Sequence, residues 1–195
     1  MSEPRDEDFV EHHYWRAIDL WSEDPDEEVL KHLQLALARS PKHIPSLVLL
    51  GELYLLRDVD TGLSEDTRDQ IALACFERAL ECEPRHAEAW SCKALALLYA
   101  GRHSEALAAA DTGRDAVASL VGQGMTNAEI RLLVRERLWD VRILALIGLE
   151  RFDLARRSLE DGLHDCPQST FLSRHCSNAK LMPLVTPVGE QDAAL

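Results

Sequence analysis

Three stretches of this chain share one spacing of small and apolar residues closed by a proline: Val29, Leu33, Ala36, Pro41; Ala72, Phe76, Ala79, Pro84; and Ala155, Leu159, Gly162, Pro167. The steps are four, three and five in each. Steps of four and three keep side chains on one face of an α-helix. A proline five residues later ends that helix, because it lacks an amide hydrogen and its ring clashes with the preceding turn. Ala106, Ala110 and Gly113 repeat the first two steps without the proline. A chain that uses one helix pattern four times builds like units, and no such unit buries its apolar face alone. The units must stack on one another.

Between these stretches run other helical stripes. Val10, Tyr14, Ala17 and Trp21 form one, and Ile130, Val134, Leu138, Val141 and Ala145 another. Thr126, with Glu129 three residues on, has the form of a capping box. There is no sustained period-two alternation with hairpin signals, so strands are not expected. The pattern predicts nine helices, at about 6–22, 26–39, 44–57, 65–82, 87–100, 104–120, 127–148, 152–165 and 169–180. Their links are short and carry Pro, Gly or acidic residues, which makes neighbours antiparallel.

A second pattern precedes the first. Leu47, Leu50, Gly51 and Tyr54 read L-x-x-L-G-x-x-Y; Trp90, Lys93, Ala94 and Leu97 hold the corresponding places, as do Trp139, Arg142, Ile143 and Leu146. Together the two patterns resemble the tetratricopeptide repeat, a 34-residue helix–turn–helix unit. The resemblance covers about residues 10 to 169. It implies an all-α right-handed superhelix of about four antiparallel helix pairs with a C-terminal capping helix. The expected repeats are about 10–43, 44–86, 87–120 and 136–169, the capping helix about 169–180, and a flexible tail 183–195. The prolines are further apart than the repeat length requires, which places insertions at about 57–70 and 121–135.

Composition narrows the function classes. The 195 residues carry a formal net charge of −13, which repels polyanions, so nucleic acid is not an expected partner. No apolar run is long enough to span a bilayer, so membrane insertion is not expected. The start, MSEPRDEDFVEHH, lacks the basic and apolar features of a secretory signal. With five cysteines, an odd number, reduced thiols and a cytoplasmic location are the expectation.

Candidate chemistry is thin. Asp58, Asp60 and Gly62 imitate part of a calcium loop, but Leu63 takes the turn position and Asp69 the place of the closing glutamate. Cys82, His86 and Cys92 match no zinc spacing. His12 and His13 are adjacent, and neighbours on a helix point about 100° apart, so they chelate poorly. No phosphate loop, nucleophile elbow or HExxH is present. The expectation is no catalysis, no cofactor and no metal.

What remains is binding. In the family the first helix of each pair lines a concave surface that takes a peptide or helix, and certain repeat positions face it. Carried over, the second unit offers Pro45, Val48, Glu52, Leu55 and Leu56; the third Glu88, Ser91, Leu95, Leu98 and Tyr99; the fourth Arg137, Asp140, Leu144, Ile147 and Gly148. The core set of this groove is Val48, Glu52, Leu56, Glu88, Ser91, Leu95, Tyr99, Arg137, Asp140 and Leu144. Family members that hold acidic chaperone tails use a Lys/Asn/Arg clamp. Val48 and Glu52 stand where Lys and Asn would be, so that ligand is not expected. The groove suits an apolar or amphipathic segment of a protein partner. The expected function is a protein–protein interaction module, an adaptor or assembly factor. A dedicated secretion-type chaperone is the alternative, and a helical enzyme or metal protein the alternative of another class.

Overall fold

The computed structural model describes residues 6–22, 26–57, 62–123, 132–178 and 181. Among these every regular element is a helix: α1 Asp6–Trp21, α2 Asp26–Arg39, α3 Ile44–Leu56, α4 Glu65–Cys82, α5 Ala87–Tyr99, α6 His103–Gly122, α7 Leu132–Gly148, α8 Phe152–Asp165 and α9 Thr170–Ser173, then a 3₁₀ turn Arg174–Ser177. α1 packs on α2, α3 on α4, α5 on α6 and α7 on α8, and each pair stacks on the next. The array is an all-α superhelix of the tetratricopeptide type.

The four-three spacing is the core of this stack. Val29, Leu33 and Ala36 are buried in α2, Ala72, Phe76 and Ala79 in α4, Ala106 and Ala110 in α6, and Ala155 and Leu159 in α8. Two glycines, one from each pattern, lie where helices cross. A Cβ at Gly113 would stand 2.5 Å from Leu138 Cδ2, and one at Gly51 2.4 Å from Phe76 Cε1. The small residue is what lets the partner side chain seat.

The prolines build one turn three times. The amide of His43 donates to the carbonyl of Ser40, His86 to Glu83 and Ser169 to Cys166, each at 3.1 Å, with Pro41, Pro84 and Pro167 second in each turn. Proline's fixed φ suits that position. The turns inside pairs follow another rule. Arg102 N–H bonds to Leu97 O at 2.9 Å, and Arg151 N–H to Leu146 O at 2.8 Å. Both wrap the chain through the left-handed region, at Gly101 (φ +69) and at Glu150 (φ +58). The first uses glycine as a helix C-terminus prefers; the second places a side chain there.

One sequence expectation needs correcting. The capping helix expected over 169–180 is a four-residue α9 followed by the 3₁₀ turn ending at Ser177. Asp140 of α7 grips both Arg174 and His175, and those adjacent residues occupy the tighter turn. Helix α6, expected over about 104–120, spans His103–Gly122. The capping box at Thr126 and Glu129, the loop residues Asp58 and Asp60, and the tail 183–195 lie outside the described residues.

Candidate functional site

A hollow of about 360 Å³ opens between the first helices of successive pairs, α1, α3 and the start of α5. Tyr14, Ile18 and Trp21 form one wall; Pro45, Val48, Leu49 and Glu52 the floor and opposite wall; His86 and Glu88 close the end. The apolar lining continues into the core, where Val48 and Leu49 are buried. Local chemistry sets each wall. Pro45 sits in the first turn of α3, where its missing amide hydrogen costs nothing. His86 caps α5 by accepting from the Ala89 amide at 3.2 Å. Glu88 lies in the first turn of α5, where a negative charge complements the helix dipole.

At the inner edge of this hollow three helices are tied together. Arg137 of α7 donates from Nη1 to Glu52 Oε1 of α3 at 2.8 Å and to Cys92 Sγ of α5 at 2.9 Å. The Cys92 thiol donates to the same Glu52 oxygen at 3.3 Å. Burial pushes this thiol well up, and the Glu52 charge adds to it, so it stays a neutral donor at neutral pH. The Glu52 and Arg137 side chains are only 16% and 13% exposed. Their mutual neutralisation makes a charged pair tolerable among buried groups.

The structure separates the sequence-predicted groove residues into five groups. Val48, Glu52 and Glu88, with Pro45, line the hollow. Ser91 and Leu95 do not present themselves to it. Ser91 is fully buried and donates to Glu88 O at 2.8 Å, and Leu95 packs with Ala94, Leu97 and Val141 in the core. Charge at Glu52 in the equivalent position reflects the Arg137 and Cys92 partners, not an open face. Arg137 and Asp140 are used within the fold, Arg137 on Glu52 and Asp140 on the C-terminal cap, with His175 Nε2 at 2.6 Å. Leu56 and Tyr99, 45% and 60% exposed, stand at the far ends of α3 and α5. There Tyr99 borders two further hollows walled by Glu65 and Asp69. Leu144 is half-buried on α7.

The sequence carry-over missed Tyr14, Ile18 and Trp21, because the first unit fits the repeat pattern poorly. The Val10–Tyr14–Ala17–Trp21 stripe was the signal available for two of them; Ile18 follows from the same helix face. A hollow of about 410 Å³ lies elsewhere, between α6, α7 and the end of α8. Its charges are spent internally: Arg114 stacks over Trp139, 3.6 Å from the ring centre, and buried Arg135 holds Asp165 at 2.6 Å. Among the described residues, no three metal-ligating side chains come together, and no helix is long and apolar enough to cross a membrane.

Residues 75–108 match the family model of the tetratricopeptide repeat. This span runs from the middle of α4 into α6, across the turn at Pro84 and the pair α5/α6. No curated protein sequence matches the chain. Among solved structures, a thermophilic TPR protein of Thermus thermophilus aligns with a TM-score of 0.65 at 17% identity, over 89% of this chain and 82% of that one. The pilF protein of Pseudomonas aeruginosa aligns at 0.67 and 12%, over 87% and 67%. A MamA RS-1 ArsTM double mutant aligns at 0.61 and 18%, over 86% and 81%. At these identities the likeness is one of fold.

Proposed function

We propose that this tetratricopeptide-repeat chain is a non-catalytic interaction module that takes an apolar or amphipathic segment of a partner protein in its concave face, as an adaptor or assembly factor does. The observation that carries the proposal is the open apolar hollow between α1, α3 and α5, with Ile18, Trp21, Val48 and Leu49 on its walls. A space of that size accepts one or two large side chains, and burying each contributes about 1.5–3 kcal/mol. Helix-in-groove recognition works in this way, with anchors one helical turn apart. Leu144, Leu56 and Tyr99 belong to the same reading as outer contacts, along the face and at its rim.

The test is Ile18→Gln, which keeps bulk and helix propensity but removes the apolar wall. Partners captured by the parent chain from its own cell extract are identified by mass spectrometry, and capture is repeated with the variant. The proposal expects loss of the specific partner with the melting temperature unchanged. Undiminished capture by a folded Ile18→Gln chain contradicts it.

A further inference from the structure

The tie at the inner edge of the hollow uses only half of the Glu52 carboxylate. Both bonds to it, from Arg137 and from the Cys92 thiol, go to Oε1. No group among the described residues donates to Oε2. That oxygen opens on the hollow and is not sealed in the core, since the Glu52 side chain is 16% exposed and lines that space. A carboxylate oxygen beside apolar walls is served best by an ionised donor, whose hydrogen bond is about twice as strong as a neutral one.

The charges around it leave an excess of negative sign. Glu88 lines the same space from the first turn of α5, and its charge is felt at both Cys92 and Arg137. The hollow and its tie thus hold two carboxylates and one guanidinium. Arg57, which lies over the Trp21 ring, is neutralised by Asp26 at 2.8 Å. The apolar wall stands close by. Val48 and Leu49 precede Glu52 by four and three residues on α3, so the three share one helix face.

We infer that the segment taken by the hollow is basic as well as apolar: it seats a large apolar side chain against Val48 and Leu49 and sends an arginine or lysine, one helical turn away, to Glu52 Oε2. This rests on the reading of the hollow as the partner site and adds the residue pattern which that site selects. The cation bonds to Oε2 while Oε1 stays with Arg137 and Cys92, so binding leaves the three-helix tie intact. An acidic segment is repelled by Glu52 and Glu88. A purely apolar one strips water from Oε2 without supplying a donor, which counts against it.

Two designed helical peptides are titrated against the full chain by fluorescence anisotropy, at about 0.15 M salt, where exposed charges more than about 8 Å apart are screened. Both carry a leucine stripe on one face. One has a single arginine a turn from its central leucine; the other has citrulline there, which keeps the shape and N–H donors without the charge. The arginine peptide should bind about tenfold tighter. Arg137→Met with Glu52→Gln leaves the net charge of the chain unchanged and should cut that preference to about twofold or less. Glu52→Gln alone, which turns an amide NH2 to the place of Oε2, is the second variant where circular dichroism shows the pair unfolded. Glu160→Gln, on the exposed side of α8, alters the net charge and should keep the preference. Equal binding of both peptides by the parent overturns the inference and leaves the hollow standing as a partner site. So does a preference that survives loss of the Glu52 carboxylate or disappears with Glu160→Gln. Failure of both peptides to bind the parent overturns the reading of the hollow itself, and this inference with it.

Discussion

Gly51→Ala tests the packing logic of the array at its tightest point. Gly51 lies in α3 facing α4, and a methyl group built there would stand 2.4, 2.7 and 3.0 Å from Cε1, Cζ and Cδ1 of Phe76. Three ring atoms inside van der Waals contact cannot be cleared by a small rotation. Phe76 is fully buried, in one cluster with Leu50, Leu53, Ala72 and Ala79, so the ring has no free space to enter. Relief comes from opening the α3–α4 crossing. Overpacking costs about 1–3 kcal/mol, and three ring contacts at 3.0 Å or less put Gly51 in the upper part of that range, about 2–3 kcal/mol. Alanine is the better helix former by about 1 kcal/mol, which offsets part of it. The net expectation is destabilisation by about 1–2 kcal/mol, with a larger loss for Gly51→Leu. In urea this lowers the unfolding midpoint by about 0.5–1 M. Phe76→Leu shortens the obstructing group, so Gly51→Ala costs less in that background. The double-mutant cycle should return a favourable coupling of about 1 kcal/mol. A Gly51→Ala chain as stable as the parent, or strict additivity with Phe76→Leu, refutes the argument that this glycine is required by a close crossing.

The remaining predictions address the polar tie, the turns and the thiols. Arg137→Met strands Glu52 and Cys92 and should cost about 2–3 kcal/mol, whereas Arg137→Met with Glu52→Gln should lie much closer to the parent; urea unfolding of the three variants checks both. Glu150→Gly relieves a left-handed side chain and should raise the melting temperature by about 1–4 °C, while Gly101→Ala, with open space around it but φ +69, should lower it. Brief alkylation of the native chain should label Cys82 and Cys176, which are exposed, and spare Cys75, Cys92 and Cys166; burial pushes the Cys75 and Cys166 thiols up to about 11, and peptide mass mapping reads the result.

The fold is legible in the sequence because it rests on periodic small residues and prolines, which act locally. The four-three-five spacing marks the buried faces of α2, α4 and α8, and each of its prolines starts the same turn. The C-terminal cap is not legible in this way, because its winding is set by Asp140, a residue 34 positions before Arg174, and no local signal announces that pairing. The groove is harder still. Repeat position alone gives Leu95 and Ser91 the same standing as Val48 and Glu88, yet α5 is flanked by α3 and α7 and buries the first two. Arg137 reads as a groove cation until Glu52, 85 residues away, is seen to hold it. Tyr14, Ile18 and Trp21 stand in the unit with the weakest repeat pattern. His13 of α1 and His32 of α2 hydrogen-bond through their Nδ1 atoms at 2.7 Å only because the two helices pack on each other, and helix stripes do not report the polar flank of a pair.

Site-specific photo-crosslinking tests the binding proposal most directly. A photoreactive phenylalanine analogue replaces Ile18 in the apolar hollow or, as a control, Arg157 on the exposed side of α8. Both chains are expressed in the native cell, irradiated and analysed for covalent adducts. The account predicts a discrete partner adduct from position 18, mapping to an apolar or amphipathic segment, and none from position 157. Adducts of equal yield from both positions, or none from position 18 while the chain still captures its partner, would contradict it.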